Sequence, residues 1–195
     1  MSNGQTFRPR SGYFFAGGTF VLCLVLSVTL WLTETPRNAI SGSLWALVLS
    51  GCAYLIFIRP KVQIFDEGVV ITNPLTTIGI GWHRVIDIDV RYSLTIVTAT
   101  KKISAWAAVA PGRYHGRTVH PSELRGYKLS NSEAIRPGES PRTSSGEAAQ
   151  LCRLRLEAFN PEAFEGMKTS LRFNTAGITA LAICAIAALI IQGVH

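Results

Sequence analysis

Charge is scarce in this sequence. Only 16% of its 195 residues are Asp, Glu, Lys or Arg, against roughly 25% in a typical soluble domain. Residues 13–32, 39–58 and 175–194 carry no charged side chain at all. Such runs exclude ordinary surface helices, which need a polar face. Cysteine is sparse too. Cys23, Cys52, Cys152 and Cys184 form no C-x-x-C, which excludes a disulfide framework and a cysteine metal site. His83, His115, His120 and His195 are scattered, so clustered zinc ligands are not expected. No G-x-x-x-x-G-K-[ST], H-E-x-x-H or G-x-S-x-G occurs. No catalytic residue, cofactor site or metal site is therefore assigned.

What is abundant is apolar surface, at 48% of residues, gathered into those three blocks. At 1.5 Å per residue, about twenty residues cross a bilayer core of roughly 30 Å. The expected layout is a cytoplasmic N-terminus at 1–12, then transmembrane helices at 13–32, 39–58 and 175–194. The first block is too long for a signal peptide and no A-x-A-like site follows it. The polar turn Thr33-Glu34-Thr35-Pro36-Arg37-Asn38 predicts an antiparallel hairpin of the first two spans. Pro60 and its flanking cations end the second. Small residues in the third suit close helix packing.

Arg8 and Arg10 precede the first span, Arg59 and Lys61 follow the second, and Lys168 and Arg172 precede the third. Only Arg37 lies opposite. The positive-inside rule puts the N-terminus and the domain at 61–160 in the cytoplasm, with the C-terminus outside a plasma membrane. This bias accounts for much of the net charge of +7 without nucleic acid.

After residue 61 the pattern shifts to short alternating segments, the mark of half-buried strands. Strands are predicted at 62–65, 69–72, 77–80, 85–91, 94–99 and 103–109, with turns at Asp66-Glu67-Gly68, Asn73-Pro74 and Lys101-Lys102. Ile86, Ile88 and Val90 are expected on one face, with Asp87 and Asp89 on the solvent side. Residues 112–143 read as a long loop rich in Gly, Pro, Ser and Arg. Ser144-Ser145-Gly146-Glu147 matches a capping box, followed by a helix to about residue 159 with Leu151, Leu154 and Ala158 on one face. Leu154-Arg155-Leu156 also alternates, which leaves a strand open there. A short-turned antiparallel meander with one helix buries its apolar face best as a strongly bent sheet or small barrel plugged by the helix.

The order Arg59-Pro60-Lys61-Val62, Asp66-Glu67-Gly68-Val69, Asn73-Pro74, Trp82 with Val85-Ile86-Asp87-Ile88-Asp89-Val90, Ala105-Trp106-Ala107, His120-Pro121-Ser122-Glu123-Leu124-Arg125-Gly126 and Ser145-Gly146-Glu147-Ala148-Ala149 resembles bacterial membrane proteins containing a pleckstrin-homology (PH) domain. The resemblance is to the actinobacterial low-molecular-weight protein antigen 6 type, over residues 39–159. It implies a PH-like antiparallel barrel beside two membrane helices and no catalytic motif. The third span is not part of what it supplies, and this sequence shows no clear seventh strand, which leaves the barrel incomplete or closed by part of the long loop.

Specific phosphoinositide binding is not expected, because Asp66-Glu67-Gly68 is short and acidic where headgroup phosphate would need cations. Arg113, Arg117, Arg125, Lys128, Arg136 and Arg142 are candidate lipid or partner contacts. Each contributes about 1 kcal/mol near anionic lipid, although a solvated loop accounts for them as well. Aromatic residues there are too few for a nucleic-acid platform. Trp82 and Trp106 can anchor a partner or fill a small core. The expected role is a non-enzymatic module docking a membrane protein or peptide. An accessory subunit of a larger membrane complex, held through its spans, is the alternative.

The chain is expected to require detergent for extraction, and a reporter fused after residue 110 to be shielded in intact cells. Recovery in the soluble fraction without detergent refutes the membrane reading, and labelling of the reporter from outside refutes the orientation.

Overall fold

A computed structural model describes residues 4–109, 143–160 and 167–193. The chain is α plus β, with antiparallel sheets and three long apolar helices. It divides into a β-rich unit, residues 1–9 and 60–172, and a helical unit, residues 10–59 and 173–195.

The helical unit contains α1 (Ser11–Thr33), α2 (Pro36–Ala53, continued by a π-helical turn at Tyr54–Ile58) and α4 (Thr175–Gly193). All three are long and apolar enough to cross a membrane. Their large side chains point outward, Phe14 at 83% exposure, so the apolar faces lack cover from the chain itself. Thr35 caps α2 by accepting from the Asn38 N–H, with Pro36 at the first position, where a missing N–H costs nothing. Helix α2 lies between the other two. A Cβ on Gly12 would strike the Phe57 carbonyl, one on Gly42 would strike Leu30, and one on Gly51 would strike Leu181. Glycine thus sets the close approach at each contact.

Helix α2 runs antiparallel to both neighbours. Ser41 Oγ donates to the Ala188 carbonyl at 3.2 Å. Arg37 donates through Nε to the Ile191 carbonyl at 2.7 Å and through Nη2 to Gln192 at 3.2 Å. A guanidinium on the last carbonyls of α4 satisfies acceptors that have no partner within the helix and complements its dipole. Thr19, Thr29 and Thr33 return their hydroxyls to carbonyls one turn back, which satisfies these three donors on an apolar surface.

The β-rich unit has two antiparallel ladders. One sheet runs β1 (Gln5–Phe7), β2 (Lys61–Ile64), β3 (Gly68–Thr72), β4 (Thr76–Gly81) and β8 (Ser170–Phe173). The other runs β5 (Val85–Asp89), β6 (Ser93–Thr98) and β7 (Lys102–Val109). Their inner faces form one core with α3 (Ser144–Ala158). Trp82, 1% exposed, sits in it and donates from Nε1 to the Phe65 carbonyl at 3.0 Å. This bond satisfies the one polar atom of a buried indole.

Several expectations are corrected. Residues 5–7 form a strand, with Phe7 opposite Val62, where no strand was predicted. Residues 170–173 form another, β8, where none was predicted. Helix α3 is capped by Thr143, whose Oγ1 accepts from the Gly146 N–H at 3.0 Å, so the cap precedes the predicted box by one residue. Its buried face is Ser145, Ala148, Ala149 and Cys152, small residues that let the helix press close to the strands, and Leu154 is exposed. The register between β5 and β6 shifts between Val85 and Asp87. This bulge turns Ile86 outward, to 66% exposure, away from the face of Ile88 and Val90.

Trp82→Ala is expected to destabilise the β-rich unit by about 3–5 kcal/mol, the range for emptying a large aromatic site. Denaturant unfolding in detergent, compared with the unsubstituted protein, measures it.

Candidate functional site

Within the β-rich unit the core face of β4 continues past the edge of the sandwich into an open cleft of about 430 Å³. Its apolar walls are Ile78 and Ile80 of β4, the outward-turned Ile86, Ile103 of β7 and Leu171 of β8. Gly79 and Gly81 bring the chain at 167–170 tight against β4. A Cβ at Gly79 would meet Ser170 Oγ at 2.8 Å, and one at Gly81 the Met167 carbonyl at 2.5 Å.

The cleft's polar lining is cationic. Arg84 and His83 come from the 3₁₀ turn Trp82–Arg84, and Lys101 from the turn between β6 and β7. Thr98 locks that turn. Its Oγ1 donates to the Lys101 carbonyl at 2.8 Å and accepts from the Lys101 N–H at 3.1 Å, while its own N–H reaches the same carbonyl at 2.9 Å. Lys101 is thereby held at the mouth. Among the described residues no Asp or Glu lines the cleft. Aliphatic walls under a positive rim suit a ligand that is apolar in its body and anionic at one end.

The residues singled out from sequence fall elsewhere. Arg113, Arg117, Arg125, Lys128, Arg136 and Arg142 lie outside the described residues, as do His115, His120 and His195. Trp82 is in the core and Trp106 on the surface, at 55% exposure. Asp87 Oδ1 accepts from the Ile88 N–H at 2.8 Å, and Asp89 Oδ1 from the Arg91 N–H at 3.2 Å. Each carboxylate thus bonds local backbone. In the acidic turn between β2 and β3, Asp66 is ion-paired with Arg155 of α3. Among the described residues no three His, Cys, Asp or Glu side chains gather as metal ligands.

Sequence reasoning missed the cleft. Its one visible signal is the spacing Gly79-x-Gly81, two missing side chains on one strand face, which marks close approach by another segment. Ile86 carried a misleading signal, because alternation assumes an unbroken register.

Cys152 is fully buried on α3, and burial pushes its thiol from 9.0 up to about 12, with the Arg153 charge pulling the other way. No protein-family model matches this chain, and no curated protein or solved structure is found similar to it.

Since the thiol titrates higher in the folded state than in the unfolded one, its contribution to stability is complete below about pH 9 and lost as pH rises towards 12. Cys152 is expected to resist a water-soluble maleimide at pH 8 and to react once the chain is denatured. Peptide mapping of the label measures this, and rapid native labelling contradicts it.

Proposed function

We propose that this protein is a non-enzymatic, membrane-anchored interaction module whose PH-like β-rich unit docks another membrane protein or peptide at the cytoplasmic face of the plasma membrane. Two antiparallel sheets around one core with a terminal helix support the PH-like reading. The cation distribution supports the orientation. The chain passes between strands and spans through connectors of at most three residues, at 8–10, 59–60 and 174.

The observation that carries the docking reading is the display of Trp106. β7 is an edge strand, and β6 pairs with it at Ser104 and again at Val109, leaving 105–108 bowed away. Asn73 takes the place of the missing strand. Its Oδ1 accepts from the Trp106 N–H and its Nδ2 donates to the Ser104 carbonyl, both at 2.9 Å. Ala107 and Ala108 are both buried, and this break in alternation leaves Trp106 and Val109 both outward. An exposed indole on pinned backbone loses little entropy when covered, which is the profile of an interface anchor.

One observation favours the alternative of an accessory subunit held through its spans. Gly17 and Gly18 on α1 face open space, a surface on which a further helix can close-pack.

Trp106→Ala is expected to weaken partner capture by about 2 kcal/mol, roughly thirtyfold, with the melting temperature unchanged. Crosslinking with mass spectrometry on the detergent-extracted full chain measures it. Undiminished capture, with crosslinks confined to the spans, refutes docking and supports the accessory subunit.

A further inference from the structure

We propose that the cleft between β4, β8 and the turn joining β6 to β7 holds one acyl chain of an anionic phospholipid, with the headgroup phosphate at Arg84 and Lys101. The large apolar residues of the lining are four isoleucines and one leucine. Two of them, Ile86 at 66% and Leu171 at 51% exposure, stand open to water that an acyl chain would displace. The cleft's 430 Å³ falls in the range of small-molecule sites, roughly 300–1,000 Å³.

The charge fixes the other end of the ligand. Arg84 offers a planar fork of donors suited to phosphate and Lys101 a compact point charge. Among the described residues neither side chain has an acidic partner. Thr100 adds a hydroxyl at the same rim. An extended peptide would instead need main-chain partners along a strand edge, and these walls present side chains.

The test uses the full chain in lipid nanodiscs, with phosphatidylglycerol carrying a photoactivatable group at the end of one acyl chain, and the matching phosphatidylcholine as control. The peptides holding Ile86 and Ile103 are expected to label at least about tenfold more strongly with phosphatidylglycerol, through the attraction of the two cations. Ile86→Glu, at an exposed position that leaves the core intact, is expected to abolish that labelling. Arg84→Gln with Lys101→Gln is expected to remove the headgroup preference. Trp106→Ala is expected to leave labelling unchanged, which separates this site from partner docking. Labelling confined to the spans, equal labelling by both lipids, or displacement of the probe by inorganic phosphate alone overturns the proposal.

Discussion

The antiparallel packing of α2 against both α1 and α4 is the contact on which the rest of the molecule depends. Glycines 12, 42 and 51 let backbone and side chains meet closely along it. Since α1 and α4 then run the same way, the start of α1, the end of α2 and the start of α4 share one end of the bundle. In sequence, β1 precedes α1, β2 follows α2 and β8 precedes α4. Three of the five strands of that sheet therefore adjoin a span in sequence, and its order β1-β2-β3-β4-β8 places two of them, β1 and β8, on its outer edges.

The β-rich unit resolves its own burial problem unevenly. Trp82, the inner faces of both sheets and the small-residue face of α3 close one side of the sandwich. The other side stays open at the cleft, where a bulge at Ile86 breaks the alternation that would have turned this side chain inward. A closed face gives stability and an open one gives a place to bind, and both are built from the same strands. Asp66 shows a similar economy. As an acid in a tight turn it would repel phosphate, yet paired with Arg155 it ties α3 to the hairpin of β2 and β3.

Long-period features were legible from composition and spacing. The three apolar helices, the six strands from β2 to β7 and the existence of α3 all follow from runs or alternation that extend over several residues. What escaped was short or contextual. β1 has three residues and β8 four, too few to show a period, and pairing with β2 and β4 holds them. Thr143 rather than its neighbour caps α3 because the cap is chosen by where the chain turns. Trp106 was open between core and surface, and its exposure depends on an amide from Asn73, 33 residues away. The cleft was invisible because its walls come from four separated strands.

The contact between Arg37 and the end of α4 joins residues 154 positions apart. At a synthesis rate of roughly 5–20 residues per second, Arg37 emerges about 8–30 s before the carbonyl it will hold. For that interval the guanidinium and the Ser41 hydroxyl of the hairpin of α1 and α2 are still waiting for α4. The β-rich unit is translated in the same interval. The order of birth of the segments thus makes closure of the helical bundle wait for α4.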